Sequence, residues 1–300
     1  MKYCQTKIGL ALLVLACWRA VGQSDAIPND PKTSAVPGSK TVAPGVLEIG
    51  RISNPRISES SGIVASRQFP GVFWTHNDGG GGRKQVLYAI SRDGRSLGEF
   101  QVADARLVDW EDIAIDDAKH LYLADTGDNE AKRAEVAVHQ IDEPDPKSSV
   151  AFVQVKRTWR LRYPDRPFDC ESLFVWDGYG YVVSKVINDA RAQIFRFSLA
   201  ERKAPVVLEL VATTRIESPV TGADISADGK LLALVAKSGA FAFRVNGDIS
   251  RAGGKGKGKP YQVKFRHEHI EACCFVPEGL IATAESREIY LFTAPTFRGD

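Results

Sequence analysis

Glu59-Ser-Ser-Gly-Ile, Glu111-Asp-Ile-Ala-Ile, Glu171-Ser-Leu-Phe-Val, Asp224-Ile-Ser-Ala-Asp and Glu271-Ala-Cys-Cys-Phe repeat one theme, a carboxylate followed by small and apolar residues, at steps of 52, 60, 53 and 47 residues. Self-similarity at a fixed period marks a repeat architecture. After each start comes a turn and a β-rich run: Gly71-Val-Phe-Trp-Thr, His120-Leu-Tyr-Leu-Ala, Gly180-Tyr-Val-Val-Ser, Lys230-Leu-Leu-Ala-Leu and Gly279-Leu-Ile-Ala-Thr. A third run follows each of these, beginning at Val86, Val136, Gln193, Ala240 and Glu288. Outer fourth strands are expected near 96–102, 150–160, 206–213 and 261–266. The fifth unit stops at Phe292 without a fourth strand, and Val46-Leu-Glu-Ile-Gly-Arg-Ile can supply it. Four strands per unit, with an N-terminal strand completing the last, is how a β-propeller closes its ring and avoids a bare edge. The expectation is an all-β, five-bladed propeller, with six blades as the alternative.

Composition agrees. In 300 residues, 44% hydrophobic and 25% charged content is that of a globular chain able to bury a core. Lys+Arg 39 against Asp+Glu 37 leaves +2, so no global field recruits nucleic acid. Lys2 and Lys7 flank a polar start, and the uncharged run Ile8 to Ala16 is too short to span a bilayer. Residues 1–22 therefore read as a signal peptide cleaved after Gly22, with Val14-Leu-Ala-Cys17 as a competing lipid-anchor site at Cys17. The chain is expected outside the cytoplasm, periplasmic or secreted, without a transmembrane span. Residues 23–45, rich in Pro, Ser and Thr, read as a linker, and 46–296 as one propeller domain, expected to be a monomer. Cys170, Cys273 and Cys274 have no disulfide or zinc spacing and read as buried thiols.

In a propeller the first strand of each blade lines the channel and the second returns antiparallel, so residues about 14 apart share one mouth. That geometry predicts an inner ring of Glu59, Glu111, Glu171, Asp224 and Glu271. Around it stand Asn77 and Asp78, Asp125, Lys185, Lys237 and Glu285. Five like charges around a narrow channel raise one another's pKa unless a cation or proton neutralises them. Oxygen donors without Cys or His favour Ca²⁺. The alternative is architecture: acidic caps and ion pairs between blades, with Lys185 and Lys237 as partners. Asp125 and Asp128 in the Asp125-Thr-Gly-Asp-Asn loop, and His76 near the rim, are the candidates for moving a proton. Asn77, Asp78, Lys185, Lys237 and Glu285 are the candidates for holding a small molecule, glycan or peptide. Asp78-Gly-Gly-Gly-Gly82 lacks the Lys-Ser/Thr of a phosphate loop, and Lys255-Gly-Lys-Gly-Lys259 reads as a solvated loop.

Glu59-Ser-Ser-Gly-Ile, Asp109-Trp-Glu-Asp-Ile-Ala and the Asp125-Thr-Gly-Asp-Asn loop resemble a largely uncharacterised group of secreted bacterial propellers. More distantly they are similar to phytase-like propellers, whose blades open with Glu-x-Ser-Gly and Asp-x-Glu-Gly, and to calcium-activated apyrases. The resemblance implies an axial Ca²⁺ held by Glu59, Glu111, Glu171, Asp224 and Glu271, and a Ca-dependent phosphoester or ester hydrolase as the alternative to a binding module. Asp109-Trp-Glu-Asp departs from the Asp-x-Glu-Gly pattern, and only Lys185, Lys237 and Arg191 are available near the mouth to hold phosphates.

Overall fold

A computed structural model describes residues 38–79, 85–185, 191–201, 204–253 and 259–297. The signal peptide, Cys17, most of the linker, Gly80 to Gly82 and the lysines at 255 and 257 lie outside the described residues.

The described chain opens with a hairpin, β1 (Lys40–Ala43) and β2 (Val46–Arg51). Blade one follows as β3 (Ser60–Ala65), β4 (Val72–Asn77), β5 (Val86–Ser91) and β6 (Ser96–Ala103), and blade two as β7 (Trp110–Ile115), β8 (His120–Asp125), β9 (Val136–Asp142) and β10 (Phe152–Arg162). Blade three has β11 (Cys170–Trp176), β12 (Tyr179–Ser184), β13 (Gln193–Ser198), a short β14 (Val206–Val207) and β15 (Glu209–Thr213). Blade four is β16 (Val220–Ile225), β17 (Leu231–Ala236), β18 (Gly239–Arg244) and β19 (Tyr261–Lys264). Blade five is β20 (Ile270–Val276), β21 (Gly279–Ala284) and β22 (Glu288–Thr293), and β2 supplies its fourth strand, with Val46 opposite Phe292 and Leu47 opposite Leu291. The first strands neighbour one another in the circular order β3, β7, β11, β16, β20 and back to β3. The fold is a five-bladed β-propeller.

Two features depart from the expected pattern. Lys40–Ala43, read as linker, pairs with β2 as a fifth strand on blade five, because Gly45 at φ 74° turns the chain back on itself. The outer edges of blades one to three are also joined. β10, 11 residues long, overruns its own blade and pairs in parallel with β6, Phe152 opposite Gln101, and with β14, Leu161 opposite Val206.

Apolar side chains fill the wedges between blades. Trp74, Phe100, Leu107, Trp110 and Ile113 form one such cluster between blades one and two, the Trp74 and Phe100 rings meeting edge to face at 5.8 Å. At the axis the problem is polar, since each first strand is a sheet edge whose outward N–H and C=O groups are buried and must find partners. Side chains of the preceding blade provide them. Ser61 Oγ donates to Glu111 O at 2.6 Å, Thr126 Oγ1 to Cys170 O at 2.8 Å and Thr221 Oγ1 to Ile270 O at 2.8 Å. Asp224 accepts from Phe275 N in blade five at 2.7 Å. The Asp112 carboxylate accepts from Ile113 N and Leu173 N, each at 2.8 Å, so one side chain ties blades two and three together.

Asp112→Ala leaves those amides buried and unpaired, and is expected to lower the unfolding free energy by about 2–4 kcal/mol in urea titration. A loss within about 0.5 kcal/mol, the usual range of a surface change, would show that Asp112 does not pin the blades.

Candidate acidic site at the channel mouth

All five first strands begin with the same irregularity. Pairing with the second strand shifts between Ser60 and Gly62, Trp110 and Asp112, Cys170 and Ser172, Val220 and Gly222, and Ile270 and Ala272. Such a bulge re-aims the residue it squeezes out. The squeezed residues are Ser61, Glu111, Glu171, Thr221 and Glu271, at steps of 50, 60, 50 and 50 residues. These, not the five carboxylates expected, form the innermost level of the mouth.

The sequence-based ring was thus in register at Glu111, Glu171 and Glu271 and out of register at Glu59 and Asp224. Glu59 lies two residues ahead of Ser61 and is the counterpart of Asp109 and Asp169. Asp224 lies three residues beyond Thr221, about 10 Å further along the strand at ~3.3 Å per residue. There its carboxylate accepts from Ile225 N and Phe275 N, the part of a cap between blades.

Three levels now read around the ring. The residues ahead of the strands are Glu59, Asp109, Asp169, Pro219 and His269; their carbonyls accept from Asp78 N, Gly127 N, Lys185 N, Lys237 N and Glu285 N respectively. Asp78, Lys185, Lys237 and Glu285 therefore occupy the outer level, as the sequence spacing indicates, but Gly127 takes that place in blade two where Asp125 was expected. A Cβ at Gly127 would overlap Glu111 Oε1 and the Asp109 carboxylate. Its absence lets acidic groups converge: oxygens of Asp78, Asp109 and Glu111 lie within 4.8 Å of one another, as do those of Glu111, Asp169 and Glu171. Asp169 had no part in the sequence reading. It becomes visible once the pentads are aligned on the apolar residue at their end, as Asp109-Trp-Glu-Asp-Ile against Asp169-Cys-Glu-Ser-Leu.

Electrostatics follow from this crowding. Burial, and then Asp78, Glu171, Asp109 and Asp169, push Glu111 up to about 11. Glu171 is raised by burial to about 7, Lys185 restraining the rise, and Glu271 by burial and Glu171 to about 8. Lys185 ion-pairs with Glu171 and reaches Asp169 at 3.6 Å; burial opposes its charge, yet Glu171 and Asp169 hold it above its ordinary value. Glu171 Oε2 is buried without a hydrogen-bond donor among the described residues. A cleft of about 740 Å³, lined by Asp128, Phe168, Asp169, Lys185, Arg191 and other residues of blades two and three, opens beside the cluster.

The candidate proton carriers belong to the framework. Asp125 Oδ1 accepts from Val108 N and Asp109 N at 3.1 and 2.8 Å and pairs with Arg133 at 3.0 Å. Asn77 does the same in blade one, accepting from Ser58 N and Glu59 N. Asp128 Oδ1 and Oδ2 accept from Lys132 N and Arg133 N. His76 lies beneath the rim, fully buried and stacked on Trp110 at 3.9 Å. Its Nδ1–H donates to Asn77 O at 2.9 Å, and burial lowers its pKa to about 3, so the ring is neutral. Glu285 pairs with exposed His269 at 2.9 Å.

No protein-family model matches the chain, and a search of curated proteins finds no match. Among the solved structures similar to it are two at low identity. One is a nidogen/laminin complex, at 14% identity over 75% of this chain and 72% of that one, with a TM-score of 0.45. The other is virginiamycin B lyase from Staphylococcus aureus, at 13% identity over 84% of this chain and 72% of that one, with a TM-score of 0.43. Likenesses this weak carry no argument about chemistry. The likeness to phytase-like propellers and calcium-activated apyrases finds no support among them, and the propeller itself rests on the strand order.

A carboxyl whose folded pKa exceeds its unfolded value stabilises the fold fully below the unfolded value, here 4.5, and progressively less as pH rises through the folded values of about 7, 8 and 11. In chelator the melting temperature should therefore fall between about pH 5 and pH 9, and Glu111→Gln should flatten that slope. A melting temperature independent of pH over that interval in the wild-type protein would contradict the raised values.

Proposed function

We propose that this chain is an exported binding propeller that holds Ca²⁺ at Asp78, Asp109 and Glu111, with Asp169 beside them, and binds a small molecule, glycan or peptide in the adjoining cleft. The observation that carries the reading is the convergence of the Asp78, Asp109 and Glu111 oxygens, the last two over Gly127, where any side chain would fill the space. The donor set is oxygen alone, which suits a hard cation, and Ca²⁺ tolerates the irregular arrangement better than Mg²⁺. Lys185 already serves Glu171 and Asp169, so a cation brings its charge to the blade-one side of the cluster. Phe168 and Arg191 line the cleft beyond it and offer an apolar wall and a positive charge to a ligand. Export rests on the character of residues 1–22, with Cys17 as the alternative anchoring point. Among the described residues no helix is long and apolar enough to cross a membrane.

Between binding and hydrolysis, the geometry favours binding. Asp125 commits Oδ1 to two backbone amides and Arg133, Asp128 commits both oxygens to backbone amides, and His76 is buried beneath the rim, which supports a framework part for all three candidates.

Calorimetric titration with Ca²⁺ should show binding that Glu111→Gln abolishes and Asp224→Asn leaves in place. At a hundredfold excess over the dissociation constant the ion should stabilise the fold by about 2.7 kcal/mol. Absence of binding heat, together with a melting temperature indifferent to chelator, would leave the cluster as protonated carboxyls and ion pairs.

A further inference from the structure

The opposite ends of the first strands form a second mouth with different chemistry. The β3–β4 connection carries Arg67, which lines two cavities there. One, of about 560 Å³, lies between blades four and five; the other, of about 320 Å³, is walled in part by Asp116, Asp117 and Asp177. The larger cavity has an apolar wall in Leu231, Phe275, Val276, Pro277 and Phe297.

Its carboxylates and its lysine are committed. Asp228 pairs with Lys230 at 2.9 Å and accepts from Ser226 Oγ at 2.8 Å. Both Asp224 oxygens accept backbone N–H groups, and Arg244 donates to Tyr261 Oη at 3.1 Å. Arg67 makes no hydrogen bond or ion pair among the described residues and acts on Asp224 only through its field. A planar guanidinium with its donors free matches a carboxylate in a two-pronged pair.

We propose that this second mouth binds a small amphipathic carboxylate, its head on the Arg67 guanidinium and its apolar body in the cavity between blades four and five. The apolar wall of the larger cavity is what receives the body. The site is independent of the acidic cluster, so it stands or falls apart from the Ca²⁺ reading.

The test is calorimetry of the purified protein with octanoate, hexanoate, octan-1-ol and trimethyloctylammonium. Octanoate should bind, hexanoate more weakly by about threefold to fourfold per methylene lost, and the alcohol and the cation at least about tenfold more weakly than octanoate. Arg67→Ala should weaken octanoate by about tenfold or more and leave the alcohol unchanged, and Arg67→Lys should fall between. Because Arg67 is exposed, its variants should keep the wild-type melting temperature, which separates loss of the site from loss of the fold. Failure of octanoate to bind, equal binding of acid and alcohol, no dependence on chain length, or an Arg67→Ala variant that binds octanoate as before would each overturn the proposal.

Discussion

Everything at the axis of this molecule follows from one constraint. Five sheet edges face inward where water has little room, and each carries backbone groups that cannot stay unpaired. A propeller cannot satisfy them with another strand, so side chains of adjoining blades serve instead. Ser61, Thr126 and Thr221 donate across to carbonyls, and Asp112 and Asp224 accept from amides. Buried carboxylates at the axis are thus of two kinds, those whose oxygens are consumed by amides and those that crowd one another.

The bulge decides which kind a residue becomes. It turns the second residue of each first strand toward the mouth, while Asp112, one position on, and Asp224, three positions on, turn to the neighbouring blade. Gly127 then removes the side chain that would keep Asp109 and Glu111 apart. Burial and mutual repulsion raise Glu111 far beyond the ordinary carboxylate range.

Much of this was legible in the sequence. The period of the repeat, the strand runs within it and the completion of blade five by Val46–Arg51 all follow from alternation and turn chemistry, because those patterns are local. The site was legible only where the motif and the strand coincided. Glu111, Glu171 and Glu271 are both the first carboxylate of their motif and the bulged residue. In blade one the carboxylate comes two residues early, and in blade four Thr221 replaces it, so a search for acidic residues settled on Glu59 and Asp224. His76 looked like a rim residue because strand spacing gives height along the channel but not which side of the sheet a ring faces. β1 was hidden because Lys40–Ala43 is only four residues long and largely exposed, with no alternating pattern to mark it, and it pairs with β2.

The parallel contacts of β10 with β6 and β14 give the ring an uneven stiffness. Blades one, two and three share hydrogen bonds along their outer edges as well as their packed wedges, whereas the named outer strands of blades four and five pair only within their own blades. To open blade two locally, the chain must break ladders on both flanks, which places it among the last parts to exchange its amides with solvent. The acidic cluster lies wholly on blades one to three, inside the stiff sector. The cavity beside Arg67 lies across blades four and five, where the ring can breathe, so one mouth holds its oxygens in fixed positions while the other can adjust to the size of what enters it.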